Sequence, residues 1–113
     1  MKNGLSEIEK RALKELVQKI NELYGNNLVK IMLYGSKARG DANEYSDIDV
    51  LIILKNFNNK YCEIKKILNI TREINYIYEI LISPSVITEE HYIMSKMPVI
   101  FNIRKDGLNL WKR

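Results

Sequence analysis

Cysteine, histidine and proline are all scarce in this chain. Cys62 is the sole cysteine among 113 residues, so neither an intrachain disulfide nor a cysteine-based zinc centre can form, and a reducing compartment is the natural setting. His91 is the sole histidine; next to Glu89 and Glu90, with no second imidazole to share a metal, it reads as a surface residue. No apolar run approaches the ~20 residues needed to span a bilayer, and the N-terminus has no signal-peptide pattern, so a cytoplasmic protein without membrane contact is expected. Repeats, low-complexity tracts and linkers are also missing. This length supports one modest core, which predicts a single domain over residues 1–113. The net charge of +4 comes from lysines scattered through several expected helices, which reads as solvated helix faces; direct nucleic-acid binding is not expected.

The residues that are present alternate between helical and strand patterns. Ser6 and Glu9 form a capping box ahead of Ile8, Leu13, Leu16, Val17, Ile20, Leu23 and Tyr24 at helical spacing, and Gly25 stops the run. Leu28 to Leu33 reads as a strand. Ser36 to Gly40 fits one helical turn, and Asp41 to Ser46 a polar surface loop. Asp47 to Leu54 has the strongest strand pattern, with Ile48, Val50 and Ile52 on one face and Leu51 and Ile53 on the other, as in a strand covered on both sides. A helix comes next, from Tyr61 to about Ile74, with Ile64, Ile67, Leu68 and Ile74 inward. Tyr76 to Ile82 reads as a third strand ended by Ser83-Pro84. Thr88 before Glu89 and Glu90 starts another helix, Pro98 divides the stretch up to Gly107 into two helical pieces, and Gly107 ends the second, leaving Leu108 to Trp111 as an edge strand. This order predicts an α/β layer structure around a small sheet.

Chemistry concentrates between Leu33 and Ile53. Asp47 and Asp49 share one strand face, ~6 to 7 Å apart along the backbone. Two carboxylates so placed repel unless something positive lies between them. They read either as ligands of a hard divalent cation such as Mg²⁺ or as a solvated strand end. Gly35-Ser36, directly after a strand, lets the backbone approach a ligand and adds a hydroxyl at the head of a short helix, a turn that can hold phosphate oxygens. Lys37 and Arg39 either add positive charge there or point to solvent. Glu79, inside an apolar run, reads either as an edge-strand residue facing water or as a third carboxylate opposite the pair, acting as base or further metal ligand. Tyr34 and Tyr45 flank the motif and serve either packing or base stacking.

GSKARG at Gly35 to Gly40, with SDIDVLI after it at Ser46 to Ile52, resembles the signature of the nucleotidyltransferase superfamily that includes DNA polymerase β, in particular its minimal nucleotidyltransferase branch. The resemblance runs from the first helix to about Ser85. It implies a single-domain nucleotidyltransferase fold, α/β, with a small mixed sheet flanked by helices. Residue by residue, it implies that Gly35 and Ser36 hold the triphosphate of ATP, that Asp47 and Asp49 bind Mg²⁺, and that Glu79 stands where the third catalytic carboxylate falls, although many relatives carry aspartate there. Arg39 matches the family's arginine in the helix after the turn. Two Mg²⁺ ions and ATP are the implied cofactor and substrate, with an acceptor hydroxyl attacking the α-phosphorus in line as pyrophosphate leaves.

The chain has no room for an acceptor-binding domain, so a partner protein is expected. Minimal nucleotidyltransferases that this chain resembles act as antitoxins toward a small helical HEPN ribonuclease toxin, moving AMP onto one of its tyrosines. Two other readings stay open. One is an antitoxin that masks its toxin without chemistry, using the apolar tail with Tyr92, Met94, Met97, Phe101 and Trp111, which ordinary core packing would equally explain. The other is the catalytic subunit of a two-chain small-molecule or nucleic-acid nucleotidyltransferase. Self-association is a further open point.

Overall fold

The computed structural model describes residues 4–41 and 47–113. The first helix, α1, spans Glu7–Tyr24, and its capping box forms as the sequence predicts: Glu9 N–H donates to Ser6 Oγ, and Ser6 N–H to the Glu9 carboxylate. Gly25 ends it at φ 51°, a left-handed value that suits glycine. Ala12, Leu13, Leu16 and Ile20 make its buried stripe, while Ile8 and Leu23, at the margins of the helical pattern, stay exposed.

Strand β1 (Leu28–Tyr34) leads through Gly35 into the single turn α2 (Ser36–Arg39), and β2 (Ile48–Leu54) returns antiparallel to β1. The polar loop expected before Asp47 lies, from Ala42 to Ser46, outside the described residues. β2 is covered on both faces, as its two apolar phases require. Ile48, Val50, Ile52 and Leu54 join the cluster beneath α1 and α3 (Lys60–Tyr78); Leu51 and Ile53 join Tyr92, Ile100 and Ile103 from α4 (Glu89–Met94) and α5 (Pro98–Asp106). Thr88 caps α4 through the His91 N–H, and Pro98 opens α5 where a missing donor costs nothing. With β3 (Ile82–Thr88) and β4 (Leu108–Lys112), the result is a mixed four-stranded sheet in the order β3-β2-β1-β4, flanked on both faces by helices. Among the described residues no helix is long and apolar enough to cross a membrane.

One segment departs from the sequence expectation. Tyr76 to Tyr78 continue α3 rather than starting a strand, and Tyr76 and Ile77 face solvent at 85% and 58% exposure. The strand begins only at Ile82 and runs through Ser83 and Pro84 to Thr88, parallel to β2. Pro84 is tolerated because β3 is an edge strand, where a missing N–H can face outward. The change of direction is held by Asn75, whose side chain accepts from Ile82 N–H at 2.8 Å and donates to Ile82 carbonyl oxygen at 3.3 Å. The apolar tail also divides: Tyr92 is core and Trp111 packs against the α1 side, whereas Met94, Met97 and Phe101 are exposed.

Candidate functional site

The site forms where β1 ends and β2 begins. Gly35 has φ 75° and ψ −157°, a backbone region that essentially only glycine enters. Glycine is required there a second time, because a Cβ at this position would lie 2.6 Å from Asp49 Oδ2. The bare backbone of the turn thus rests against the Asp49 carboxylate. Gly35 carbonyl oxygen accepts from the N–H groups of Ala38 and Arg39, which closes α2 behind the turn.

Asp47 is exposed immediately before β2, and Asp49 is half-buried in its first turn of pleat. In register, Asp49 stands between Tyr34 on β1 and Ser83 on β3. Ser83 Oγ lies 3.4 Å from Asp47 Oδ2, a long hydrogen bond that ties the edge strand to the first aspartate. Burial first, and then the charge of Asp47, pushes the Asp49 carboxyl above its ordinary value. Two oxygen-donor groups that repel one another beside an open glycine turn fit a Mg²⁺ ion together with a phosphate-bearing ligand.

The remaining expected residues are placed differently from one another. Arg39 is exposed and pairs with Asp41 at 3.2 Å, a surface contact that a stronger anion can displace. Lys37, by contrast, does not face solvent: it is 2% exposed and its Nζ lies 2.9 Å from Glu9 Oε2. Burial alone would raise the Glu9 carboxyl, but the hydrogen bonds and charge of Lys37 and the Ser6 N–H outweigh it and hold Glu9 below its ordinary range. This ion pair fastens α2 to the head of α1. Glu79 is not on a strand beside the aspartates; it is the exposed C-cap of α3, at φ 54°. Among the described residues no third His, Cys, Asp or Glu joins Asp47 and Asp49 in a group able to hold a metal.

Two concavities of about 180 Å³ each open beside the Asp49 row, and Tyr34 lines both. One extends along Gly35, Arg39 and Asn102; the other runs over Leu51 and Ser85 to Met97 and Val99, with His91 exposed at its lining. A larger hollow of about 340 Å³ lies between α1 and β4 and includes none of these residues. Sequence reasoning missed Ser83, Ser85 and the Glu9–Lys37 pair. The alternation of Ser83 and Ser85 with Ile82, Pro84 and Val86 is a strand signal that could have found the first two.

Comparisons with known proteins bear on the family and the fold. The chain matches the family model described as nucleotidyltransferase domain over residues 13–106. A curated relative from Methanocaldococcus jannaschii, provisionally named a protein adenylyltransferase, is 37% identical over 108 residues, covering 88% of this chain and 74% of its own length. A second relative from that organism with the same provisional name is 39% identical over 66% of this chain and 74% of its own length. Among solved structures, a nucleotidyltransferase, also provisionally named, from Sulfolobus solfataricus superposes with a TM-score of 0.54 at 27% identity, covering 100% of this chain and 93% of its own. A chain of a complex described as tri-AMPylated Shewanella oneidensis HEPN toxin with MNT antitoxin superposes with a TM-score of 0.55 at 12% identity, over 92% of this chain and 73% of its own. At that identity the likeness speaks for the fold. From the extent of the family match and the identity to the archaeal relatives, this chain belongs to the nucleotidyltransferase-domain family.

Proposed function

We propose that this chain is a Mg²⁺-dependent adenylyltransferase that moves AMP from ATP onto a protein acceptor, a tyrosine of a HEPN-type toxin, and so acts as its antitoxin. The observation that carries the reading is the contact of the Gly35 turn with Asp49, which puts a backbone able to approach phosphate directly against an acidic pair. The archaeal relatives' provisional name, protein adenylyltransferase, supports the reaction class. The Shewanella complex, in which a HEPN toxin carries AMP beside an MNT antitoxin, supports the acceptor class.

Position supports the following roles. Gly35 and Ser36 would receive the triphosphate, the first by its bare backbone and the second by its hydroxyl. Arg39 would exchange its surface bond with Asp41 for a phosphate oxygen. Asp47 and Asp49 would hold Mg²⁺, which supplies positive charge against the charge developing on the phosphates. Tyr34, shared by both concavities, would separate nucleobase from acceptor. The hollow over Leu51 and Ser85 is mainly apolar and suits an aromatic ring.

A purely masking antitoxin is the second reading, and the exposed Ile93, Met94, Met97, Val99 and Phe101 favour a protein-facing surface. The two readings separate in one experiment. The chain is expressed with the protein encoded by the neighbouring gene, and that protein is weighed. The adenylyltransferase reading expects a mass increase of one or more AMP units with the parent and none with Asp47→Asn or Asp49→Asn, whose cells stay poisoned. Neutralisation by those variants with no added mass would instead favour masking.

A further inference from the structure

The row of side chains through Asp49 has one neighbour on each side: Tyr34 from β1 and Ser83 from β3. Neither carries charge. Ser83 is placed to serve both aspartates, since it is in register with Asp49 and its hydroxyl bonds the Asp47 carboxylate. A carboxylate on that strand position would lie beside both, yet a serine occupies it, and Glu79, the acid nearest in sequence, caps α3 instead.

Two divalent ions ~3.5–4 Å apart, as in two-metal sites, bring four positive charges, and they need a shared carboxylate plus further anionic ligands. Besides the oxygens of the triphosphate, Asp47 and Asp49 supply two negative charges, and among the described residues no third metal-binding side chain joins them. Resting on the adenylyltransferase reading, we propose that this chain holds one divalent cation on its carboxylates rather than two, and that Ser83 is the position that sets this number. The second Mg²⁺ implied by the family resemblance then has no side-chain seat among the described residues. The consequence reaches the acceptor. As its oxygen bonds the α-phosphorus and pyrophosphate leaves, the acceptor hydroxyl gives its proton to water without help from a second cation. A phenol, with a pKa near 10, does so far more readily than an aliphatic alcohol. Selectivity for tyrosine over serine or a sugar hydroxyl is therefore built into the carboxylate count.

The test is electron paramagnetic resonance of the protein with Mn²⁺ added stepwise in the presence of α,β-methylene ATP, which cannot lose pyrophosphate. The parent is expected to give the spectrum of an isolated bound Mn²⁺. Ser83→Asp should give the broadened spectrum of a spin-coupled pair, and Ser83→Asn should match the parent. A coupled pair in the parent overturns the proposal while leaving the site intact, and this result needs no variant to fold. A Ser83→Asp protein that folds by circular dichroism yet shows only isolated Mn²⁺ overturns the role of Ser83. If the parent binds no more Mn²⁺ than Asp47→Asn, the metal reading of the site itself falls, and the proposal with it.

Discussion

Gly35→Ala is the substitution that probes the site most sharply, because two independent costs meet at one carbon. Holding alanine at φ 75° and ψ −157° costs on the order of 1–3 kcal/mol. At roughly 4 °C of Tm per kcal/mol for a chain of this size, that strain alone lowers Tm by about 4 to 12 °C. The second cost is steric: the added methyl would sit 2.6 Å from Asp49 Oδ2, so the carboxylate must swing away. A displacement of ~1 Å at a reacting centre can cost on the order of 100-fold in rate. Thermal unfolding and adenylylation rate, measured on the same preparations, read the two costs separately. The decisive comparison is a double-mutant cycle with Asp49→Ala, which removes the atom that the methyl meets. Gly35→Ala should destabilise the Asp49→Ala protein by less than it destabilises the parent, since only the backbone strain remains. Strictly additive losses would refute the contact, and an unaltered rate in Gly35→Ala would refute the role of the turn.

The buried pair of Glu9 and Lys37 gives a second expectation. Glu9→Gln removes the carboxylate that faces the buried Lys37 ammonium and should cost about 3 kcal/mol in urea unfolding, with Glu9→Gln/Lys37→Met recovering part of it. The lowered Glu9 carboxyl sets the pH dependence: its contribution is present above the ordinary value of 4.5 and disappears as pH falls through the lower folded-state value. Parent and Glu9→Gln stabilities should therefore converge in acid, and a constant gap down to the lowest folded pH would contradict this. Asp49 predicts the opposite trade. Because burial and Asp47 disfavour its charge, Asp49→Asn should unfold at a higher temperature than the parent at pH 7 without Mg²⁺. Added Mg²⁺ should then raise the Tm of the parent and leave that of the variant unchanged; equal Mg²⁺ responses would argue against ligation.

Much of the fold could be read locally because its determinants are local. The Ser6–Glu9 box, the Thr88 cap, Pro98 at a helix start and the two apolar phases of β2 each act within a few residues, and each appears in the structure. The α3 to β3 passage could not be read that way. Tyr76 and Ile77 favour strands by composition, but the helix continues until the Asn75 side chain bonds Ile82 and Glu79 takes a left-handed turn. The same logic divides the site. Gly35-Ser36 and Asp47-x-Asp49 were visible as spacing within neighbouring segments. Lys37 was not assignable because its direction is set by Glu9 from a different helix. Ser83 alternates with apolar neighbours as a strand residue does, but its place beside Asp49 depends on a parallel pairing that no local signal encodes.

The central claim is that the turn at Gly35 and the two aspartates where β2 begins, Asp47 and Asp49, form one nucleotidyl-transfer site. Its most direct test tracks radiolabel from α-phosphate-labelled ATP onto the co-expressed HEPN-type partner, with Mg²⁺ or with chelator, for the parent and for Asp47→Asn and Asp49→Asn. The account predicts Mg²⁺-dependent label on a partner tyrosine with the parent and at least a roughly 100-fold loss with either variant. Labelling that survives in both variants, or a parent that leaves the partner unlabelled at saturating ATP and Mg²⁺, would contradict it.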